Sequence, residues 1–427
     1  MTRVRLKAWT SVGVVAVNLI VLAPLAIRAA EDPALVHARE LLAKHPLIDG
    51  HNDLPWAIRE NEKAPRDVVA YDLRQHTPGH TDFERLKAGG VGGQFWSVFV
   101  PAEEPSIGYA KTQLEQIDIA RRVIARYPDR LQLALTADDV ERAMKRGRVA
   151  SLLGMEGGHV LENSLGALRA YYDLGARYLT LTHGTTLDWA DAAGDPPRHG
   201  GLTRFGEEVV REMNRLGMLV DLSHVTPETM EDALRVAEAP VIFSHSSARA
   251  LCDHVRDVPD DVLKRLPGNG GVVMVTFVAS FISDDLAKVS APLWAEAKAK
   301  LAGVKDPAVR RQVNEEFNAR LPPIKVTIAQ VADHIEHVVK VAGVDHVGLG
   351  GDFDGNDRWP EGLEDVSGYP RLFAELVRRG WSDRDLRKLA QGNVLRVLRS
   401  AEATARRLQA ARPASLATIE ALDGPNP

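Results

Sequence analysis

Cysteine, basic tracts and glycine-rich nucleotide loops are scarce or absent in this sequence of 427 residues. The one cysteine, Cys252, excludes an intrachain disulfide framework and a zinc site built from several thiolates, and we expect it to be a small buried apolar residue. The formal net charge is -5 and no long basic tract occurs, so we expect no nucleic-acid partner. No Gly-x-Gly-x-x-Gly opens a helix after the first predicted strand, which argues against dinucleotide binding.

The composition is that of a soluble globular protein with a large core, with 45% hydrophobic and 26% charged residues. Residues 411–427 contain no apolar run, so we expect no C-terminal lipid anchor.

The N-terminus has the pattern of an export signal. Three basic residues precede a largely apolar run over residues 8–27, and the small residues Ala29 and Ala30 follow it. We therefore predict a cleaved signal over residues 1–30, which places the protein in the periplasm or outside the cell. The run also reaches the roughly 20 residues that a bilayer span needs, so an uncleaved N-terminal membrane anchor is the alternative.

Short apolar runs of strand type alternate with helical patterns after residue 30. The eight predicted strands are His45–Gly50, Gly92–Val100, Val149–Met155, Tyr178–Thr182, Met218–Ser223, Val241–Ser244, Val272–Phe277 and His346–Gly350. The main helical patterns are Tyr109–Arg126, Leu165–Leu174, Phe205–Leu216, Pro227–Ala237 and Ile328–Val341. This alternation predicts an α/β fold, a parallel (β/α)8 TIM-like barrel over residues 31–400, with a doubly wound open sheet as the alternative.

One further segment interrupts this pattern and another follows it. Residues 278–325 are too long for one loop, and Pro292–Val304 and Pro307–Arg320 within them read as charged helices. We predict an inserted helical segment there, after strand seven. We assign residues 401–427 to a C-terminal tail.

Side chains of metal-binding type follow six of the eight predicted strands. They are His51 and Asp53, Glu156, His183, His224, His245, and Asp352. His51 and Asp53 are two residues apart at a strand end, so both side chains project to the same side. Because active sites of such barrels lie at the C-terminal strand ends, the recurrence predicts a metal centre.

The ligand types narrow the choice of metal. Imidazole and carboxylate without thiolate suit Zn²⁺, and also Mn²⁺, Co²⁺ or Fe²⁺. The set exceeds the three protein ligands of one catalytic zinc, so two metals that share a carboxylate use it more fully. Such a site lowers the pKa of bound water and attracts a carbonyl oxygen.

Six segments around these residues closely resemble the membrane dipeptidase (renal dipeptidase) family of metal-dependent amidohydrolases. They begin at Ile48, Gly154, Leu179, Val220, Phe243 and Gly351, and read IDGHNDLP, GMEG, LTLTH, VDLSH, FSHSSA and GDFDG. They occur in family order over roughly residues 35 to 400. The resemblance implies a barrel with two zinc ions, in which His51 and Asp53 bind one, His224 and His245 bind the other, and Glu156 bridges them.

The resemblance also implies hydrolysis of dipeptides by a bridging hydroxide, and a homodimer. In the family pattern His183 stabilises the oxyanion, Arg256 holds the substrate carboxylate, and Asp352 meets the amino group and shuttles the proton. Asp354 competes with Asp352, and we prefer Asp352 because it lies nearer the strand end.

Other readings stay open. A related amidohydrolase would act on N-acyl amino acids, D-amino-acid peptides or lactams, and a non-enzymatic exported binding protein would retain only the barrel. Three other histidines receive supporting or solvated roles: His159 next to the Glu156 loop, and His199 and His254 in polar loops.

Overall fold

The computed structural model describes residues 1–2, 31–103, 105–301, 303–304 and 306–424. Beyond its first two residues, the predicted export segment lies outside the described residues. The described residues from Pro33 onward form one compact unit. Among the helices of the described residues, none combines the length and apolar character needed to cross a bilayer.

A closed parallel barrel forms the centre of this unit. The strands are β1 Leu47–Asn52, β2 Val91–Ser97, β3 Leu131–Leu133, β4 Val149–Glu156, β5 Ala176–Thr180, β6 Leu219–Asp221, β7 Ile242–Phe243, β8 Val272–Val275 and β9 Val347–Leu349. They pair in the order β2-β1-β9-β8-β7-β6-β5-β4-β3, and an additional pairing between β2 and β4 closes the ring. This confirms the (β/α)8 barrel and excludes the doubly wound open sheet. Strand β3 was not among the predicted strands; its three residues pair with the start of β4.

Helices surround the barrel. They are α1 Pro33–Lys44, α2 Leu54–Arg59, α3 Phe83–Ala88, α4 Tyr109–Arg126, α5 Ala137–Lys145, α6 Leu165–Asp173, α7 Arg204–Leu216, α8 Pro227–Val236, α9 Asp260–Leu263, α10 Leu266–Asn269, α11 Ala279–Ile282, α12 Asp284–Leu301, α13 Pro307–Arg320, α14 Ile328–Ala342, α15 Tyr369–Arg378, α16 Asp383–Arg387, α17 Asn393–Ala411 and α18 Ile419–Asp423. Local sequence explains their ends. For example, the Thr226 side chain accepts a hydrogen bond from the Thr229 N–H, and proline occupies the start of α8.

Alternate strand residues fill the barrel and leave its upper end polar. Ile48, Phe95, Leu152, Tyr178 and Met274 belong to one fully buried cluster. Their neighbours along the strands, such as Leu47, Trp96 and Leu153, pack with the surrounding helices in a second cluster. This alternation has a period of two. Because the strands are parallel, the residues that follow them lie together at one end of the barrel, above the apolar interior.

The inserted segment after β8 is helical, as predicted, and reaches three loops of the barrel. The predicted start of its first helix at Pro292 was wrong, because α12 begins at Asp284 and contains this proline. Proline is unfavourable inside a helix, so a start at this residue was the local expectation. Lys298 donates to the Gly194 carbonyl at 2.8 Å, Arg311 lies 3.3 Å from Glu62, and Asn318 donates to Asp357 at 3.1 Å.

Residues assigned to the C-terminal tail continue the ordered unit. Helix α17 runs through residue 400 to Ala411, with Ala405 and Leu408 buried. The Asp423 carboxylate accepts hydrogen bonds from the backbone N–H groups of Arg204 and Phe205, at 3.1 Å each. A carboxylate at this position stabilises the N-terminus of α7.

Candidate metal centre

The side chains that follow the barrel strands converge at one end of the barrel. His51 lies in β1 and Glu156 ends β4, while His183, His224, His245 and Asp352 lie two or three residues beyond their strands. Asp53 follows β1 directly at the start of α2. Parallel strands place all these positions at the same face, which explains why residues far apart in the chain meet.

Three groups of these side chains could hold a metal ion. They are His51, Glu156 and His245; Glu156, His183 and His224; and His51, Asp53 and Asp352. Within each group one ligand atom of every residue lies within 4.8 Å of the others. Glu156 and His51 each belong to two groups, so the groups form one connected centre.

Glu156 faces both halves of this centre with different oxygens. Its Oε1 lies 3.0 Å from His224 Nε2 and 3.3 Å from His245 Nε2. Its Oε2 lies 3.4 Å from His51 Nε2 and accepts a hydrogen bond from the Ser97 hydroxyl at 3.2 Å. The carboxylate therefore spans the space between His51 on one side and His224 and His245 on the other.

The first half is built on β1. His51 Nε2 lies 3.1 Å from Asp53 Oδ2 and 3.8 Å from Asp352 Oδ1. The other nitrogen, Nδ1, contacts the Tyr178 hydroxyl at 2.8 Å. Asp53 Oδ1 is buried and has no hydrogen-bond partner. A buried carboxylate oxygen without a partner is costly unless a cation occupies the space beside it.

The second half is built after β6 and β7. The Nε2 atoms of His224 and His245 lie 2.9 Å apart, and His245 Nδ1 contacts the Ser244 hydroxyl at 2.8 Å. Burial lowers the pKa of both histidines well below the usual value, although the Glu156 carboxylate opposes this shift. Both rings are thereby kept neutral, which is the form that can bind a metal.

Acidic side chains around His51 determine its protonation in the first half of the centre. Burial alone would lower the pKa of His51, but Tyr178, Glu156 and Asp53 raise it well above the usual value. Burial would likewise raise the pKa of Glu156, yet His51 holds it well below its usual range. The acidic cluster thus retains a positive charge on His51. A metal ion supplies such a charge directly, so the donor set fits a cation.

Three non-glycine residues near the centre have left-handed backbone conformations. The φ angles are +71° at His224, +61° at Asp352 and +65° at Asp354. Such residues are uncommon, and they concentrate at functional sites where the surrounding structure fixes them. Gly355 has no space for a side chain, because an added Cβ would lie 2.2 Å from Asp53 Oδ2 and 2.6 Å from Asp352 Oδ1.

Asp352 and Asp354 point to different partners. Asp352 belongs to one of the candidate metal groups, together with His51 and Asp53. Asp354 Oδ1 instead accepts a hydrogen bond from the His80 backbone N–H at 2.6 Å. Asp354 N–H donates to His80 Nδ1 at 3.0 Å. The structure therefore brings Asp352 to the centre and uses Asp354 to hold a neighbouring loop.

His183 lies at the rim of the second half. Its Nε2 is 3.9 Å from Glu156 Oε1, and its ring lies 4.4 Å from the His224 ring and 4.8 Å from Phe99. The side chain is 23% exposed, in contrast to the fully buried His51, so it can meet a molecule that enters from solvent.

Arg256 is buried beside the centre with incomplete hydrogen bonding. Its guanidinium donates to the Ser246 hydroxyl at 3.4 Å and to the His245 carbonyl at 3.3 Å, both long distances. The Nε atom is buried without a partner, and Phe281 lies 5.3 Å below the group. Burial lowers the pKa of Arg256, although Glu156 and Asp352 oppose this. A buried guanidinium with free donors suits an anionic group of a ligand.

The side chains behind the histidines were not predicted from the sequence. Tyr178 and Ser244 contact the Nδ1 atoms of His51 and His245, and Asp221 contacts Ser244. Ser244 precedes His245 directly, but a serine beside a histidine is too common to signal a role. Only the fold shows that Asp221, from the neighbouring strand, reaches it.

His254 differs from its expected solvated role. Its ring stacks on Phe281 at 4.3 Å, and burial lowers its pKa to about 4. His159 packs against Tyr109 at 4.7 Å, in agreement with a supporting role near the Glu156 loop.

Both the sequence and the fold are similar to those of known dipeptidases. Residues 35–412 match the profile of membrane dipeptidase (peptidase family M19). Dipeptidase 3 of Mus musculus is 41% identical over 378 residues, which cover 87% of this chain and 68% of that protein.

Two solved structures are similar over most of their length. The probable dipeptidase PvdM from Pseudomonas aeruginosa has the same fold, with a TM-score of 0.75, 24% identity, and coverage of 87% of this chain and 99% of that chain. A metallo peptidase from Rhodobacter sphaeroides, liganded with a phosphinate mimic of the dipeptide L-Ala-D-Ala, has a TM-score of 0.69 and 25% identity, covering 83% and 99% of the two chains.

Proposed function

Since the chain belongs to the membrane dipeptidase family and is a metal-dependent dipeptidase, we propose that its centre holds two zinc ions and hydrolyses dipeptides there. The observation that carries this proposal is the position of Glu156. Its Oε1 faces His224 and His245 at 3.0 and 3.3 Å, and its Oε2 faces His51 at 3.4 Å.

The donor set divides naturally between two ions. His51 and Asp53 would hold one, His224 and His245 the other, and Glu156 would bridge them. Imidazole and carboxylate ligands without thiolate suit zinc, although Mn²⁺, Co²⁺ and Fe²⁺ accept the same ligands. When bound, zinc supplies Lewis acidity that lowers the pKa of water and polarises a carbonyl group.

His183 would stabilise negative charge on the substrate's carbonyl oxygen. Its partly exposed ring lies beside His224, and its Nε2 points towards the Glu156 side of the centre at 3.9 Å. A donor held near the reacting carbonyl stabilises the charge that develops in the transition state.

Asp352 would move the proton. Its carboxylate lies 3.8 Å from His51 Nε2 at the edge of the centre, where it can accept a proton from the attacking water. It would then deliver that proton to the leaving amine, as a general base followed by a general acid. In the bound substrate it also meets the free amino group.

Arg256 would bind the free carboxylate of the substrate. Its buried guanidinium has an unpartnered Nε and only long hydrogen bonds to the protein. Pairing at both ends of the substrate, by Arg256 and Asp352, would favour molecules of dipeptide length over longer peptides.

The substrate class within this chemistry is set by side-chain shape and chirality. The R. sphaeroides metallo peptidase is described with a mimic of L-Ala-D-Ala, which favours L,D-dipeptides as candidates for this chain as well. N-acyl amino acids and lactams are the alternatives, because they present the same scissile amide beside a carboxylate.

The test combines metal analysis with an assay of L,L-dipeptides, L,D-dipeptides, N-acyl amino acids and a lactam, with and without a chelator. We expect two zinc equivalents per chain and turnover of dipeptides that the chelator abolishes. Glu156→Gln should lower turnover by orders of magnitude and loosen metal binding, while the exposed Glu84→Gln should leave both unchanged. Full dipeptidase rates and metal content in Glu156→Gln would refute the bridging role.

We also propose that the protein is exported by its first 30 residues and forms a homodimer. The basic start and apolar run support export, and the family resemblance supports the dimer. N-terminal sequencing of the mature protein distinguishes a cleaved signal from a retained anchor. Sedimentation at several concentrations determines the oligomeric state.

A further inference from the structure

A buried carboxylate lies behind the second half of the metal centre. Asp221 ends β6 and is fully buried, as are its partners Thr180, Ser223 and Ser244. It accepts hydrogen bonds from the Thr180 hydroxyl at 2.5 Å, the Ser223 N–H at 3.1 Å, the Ser244 N–H at 2.8 Å and the Ser244 hydroxyl at 2.6 Å. Four donors therefore converge on one carboxylate, which acts only as an acceptor.

This arrangement determines where the Ser244 hydrogen points. A serine hydroxyl has one hydrogen to donate, and Asp221 Oδ2 receives it. The contact of 2.8 Å between Ser244 Oγ and His245 Nδ1 must then run the other way, with Nδ1–H as the donor. The lone pair of His245 is left on Nε2, which faces Glu156 Oε1 at 3.3 Å and His224 Nε2 at 2.9 Å.

We propose that Asp221 and Ser244 are positioning residues that hold His245 in its metal-binding tautomer. Through His245 they set the metal affinity of the half formed with His224 and Glu156. The inference rests on the proposed function, because it takes His245 to be a ligand. Groups that orient a ligating imidazole commonly change metal affinity by roughly 10- to 100-fold when they are removed.

The other half offers a comparison. His51 Nδ1 contacts the hydroxyl of Tyr178, at 2.8 Å, so its support comes from a phenol. Burial raises the pKa of this phenol, which stays neutral. Tyr178→Phe therefore removes one hydroxyl behind the first half, as Ser244→Ala does behind the second. Tyr178→Phe should therefore weaken metal binding in the first half, and Ser244→Ala should weaken it in the second.

The direction of the hydrogen bonds makes Asp221→Asn the sharper variant. An asparagine amide placed here can donate to Ser244 Oγ, so the serine hydroxyl turns to donate to His245 Nδ1. The proton of His245 then moves to Nε2 and blocks the atom that would bind metal. We expect Asp221→Asn to weaken metal binding more than Ser244→Ala does, although asparagine has nearly the same size as aspartate.

The experiment measures zinc binding to the metal-free, full-length protein by competition with a chromophoric chelator. For Ser244→Ala we expect one of the two zinc equivalents to bind roughly 10- to 100-fold more weakly, with the other unchanged. Ser247→Ala is the matched control, because it removes a buried serine hydroxyl without a partner from the same loop. It should bind zinc as the wild type does.

Thermal unfolding of the metal-free variants separates positioning from folding. A positioning role predicts unfolding midpoints close to wild type alongside weakened zinc binding. Lower midpoints with unchanged zinc affinity would overturn the proposal and assign Asp221 and Ser244 to structure alone.

His245→Ala distinguishes this proposal from the proposed function. If wild type binds two zinc ions and His245→Ala loses one, but Ser244→Ala and Asp221→Asn bind as wild type, only the positioning role fails. If wild type binds no zinc, the proposed function itself fails.

Discussion

The Nε2 atoms of His224 and His245 face each other at 2.9 Å, and both rings are neutral because burial lowers their pKa. One Nε2–H can donate across this gap, but Glu156 Oε1 also lies within 3.3 Å of both nitrogens. Three acceptor-rich groups thus share a small buried space. A cation there would satisfy all of them together.

Metal removal should therefore destabilise the fold as well as stop catalysis. Binding of an ion at about 100 times its dissociation constant contributes roughly 2.7 kcal/mol, which corresponds to several degrees in the unfolding midpoint. We expect a chelator to lower the midpoint in scanning calorimetry, and added zinc to restore it. Glu156→Gln should show a smaller difference. Equal midpoints with and without metal would contradict the assignment.

Arg256→Ala should raise KM for dipeptides with a free carboxylate by roughly 100-fold, with a smaller change in kcat. Loss of a buried charge-assisted pair typically costs about 2–5 kcal/mol. Dipeptide amides lack the carboxylate, so their weaker turnover should change little. The exposed Arg384→Ala serves as the control. An equal loss for free and amidated dipeptides would show that Arg256 supports the site rather than binds the carboxylate.

Asp352→Asn should lower kcat by roughly 100- to 10,000-fold, the usual effect of removing a general acid–base group. Asparagine tolerates the left-handed conformation at φ +61°, so we expect little change in the unfolding midpoint. Asp354→Asn is the matched control, since it has φ +65° and its Oδ1 can still accept from His80. Comparable kcat losses in both variants would refute the separate roles.

Features carried by residues that are close in the chain could be predicted from the sequence, and contacts between distant residues could not. Glu156 could be found because an apolar run ends in a lone carboxylate, and Tyr109–Arg126 because its apolar spacing is helical. The link from Asp221 to Ser244 could not be found, since 23 residues and a β-strand pairing separate the two. Hydrogen bonds between strands depend on register, which the sequence of one strand does not contain.

A very short strand and a helix that contains proline could not be predicted from the local sequence pattern either. Leu131–Leu133 has too few residues to display strand alternation. Within α12, Pro292 reads as a helix start, because local propensity opposes proline in a helix interior. Tertiary contacts determine whether such a segment forms a strand and where such a helix begins.

His334 should make stability depend on pH. This residue of α14 is 1% exposed, accepts the Ala248 N–H at Nδ1 and donates from Nε2 to the Ile282 carbonyl, both at 3.1 Å. Burial lowers its pKa from 6.5 to about 4; Asp333 opposes this shift and His337 adds to it. Asp284, Asp285 and His334 line one surface groove.

Because the folded-state pKa lies below the unfolded value, the unfolded chain binds the proton first as pH falls. The stability contribution is complete above pH 6.5 and is lost as pH falls towards 4, by up to about 3 kcal/mol. We expect urea unfolding of the metal-free protein to show a smaller loss of stability between pH 7.5 and 5 in His334→Gln than in wild type. His254, whose pKa burial also lowers to about 4, remains in both proteins and cancels in the comparison. Identical losses in the two proteins would show that His334 does not set this pH dependence.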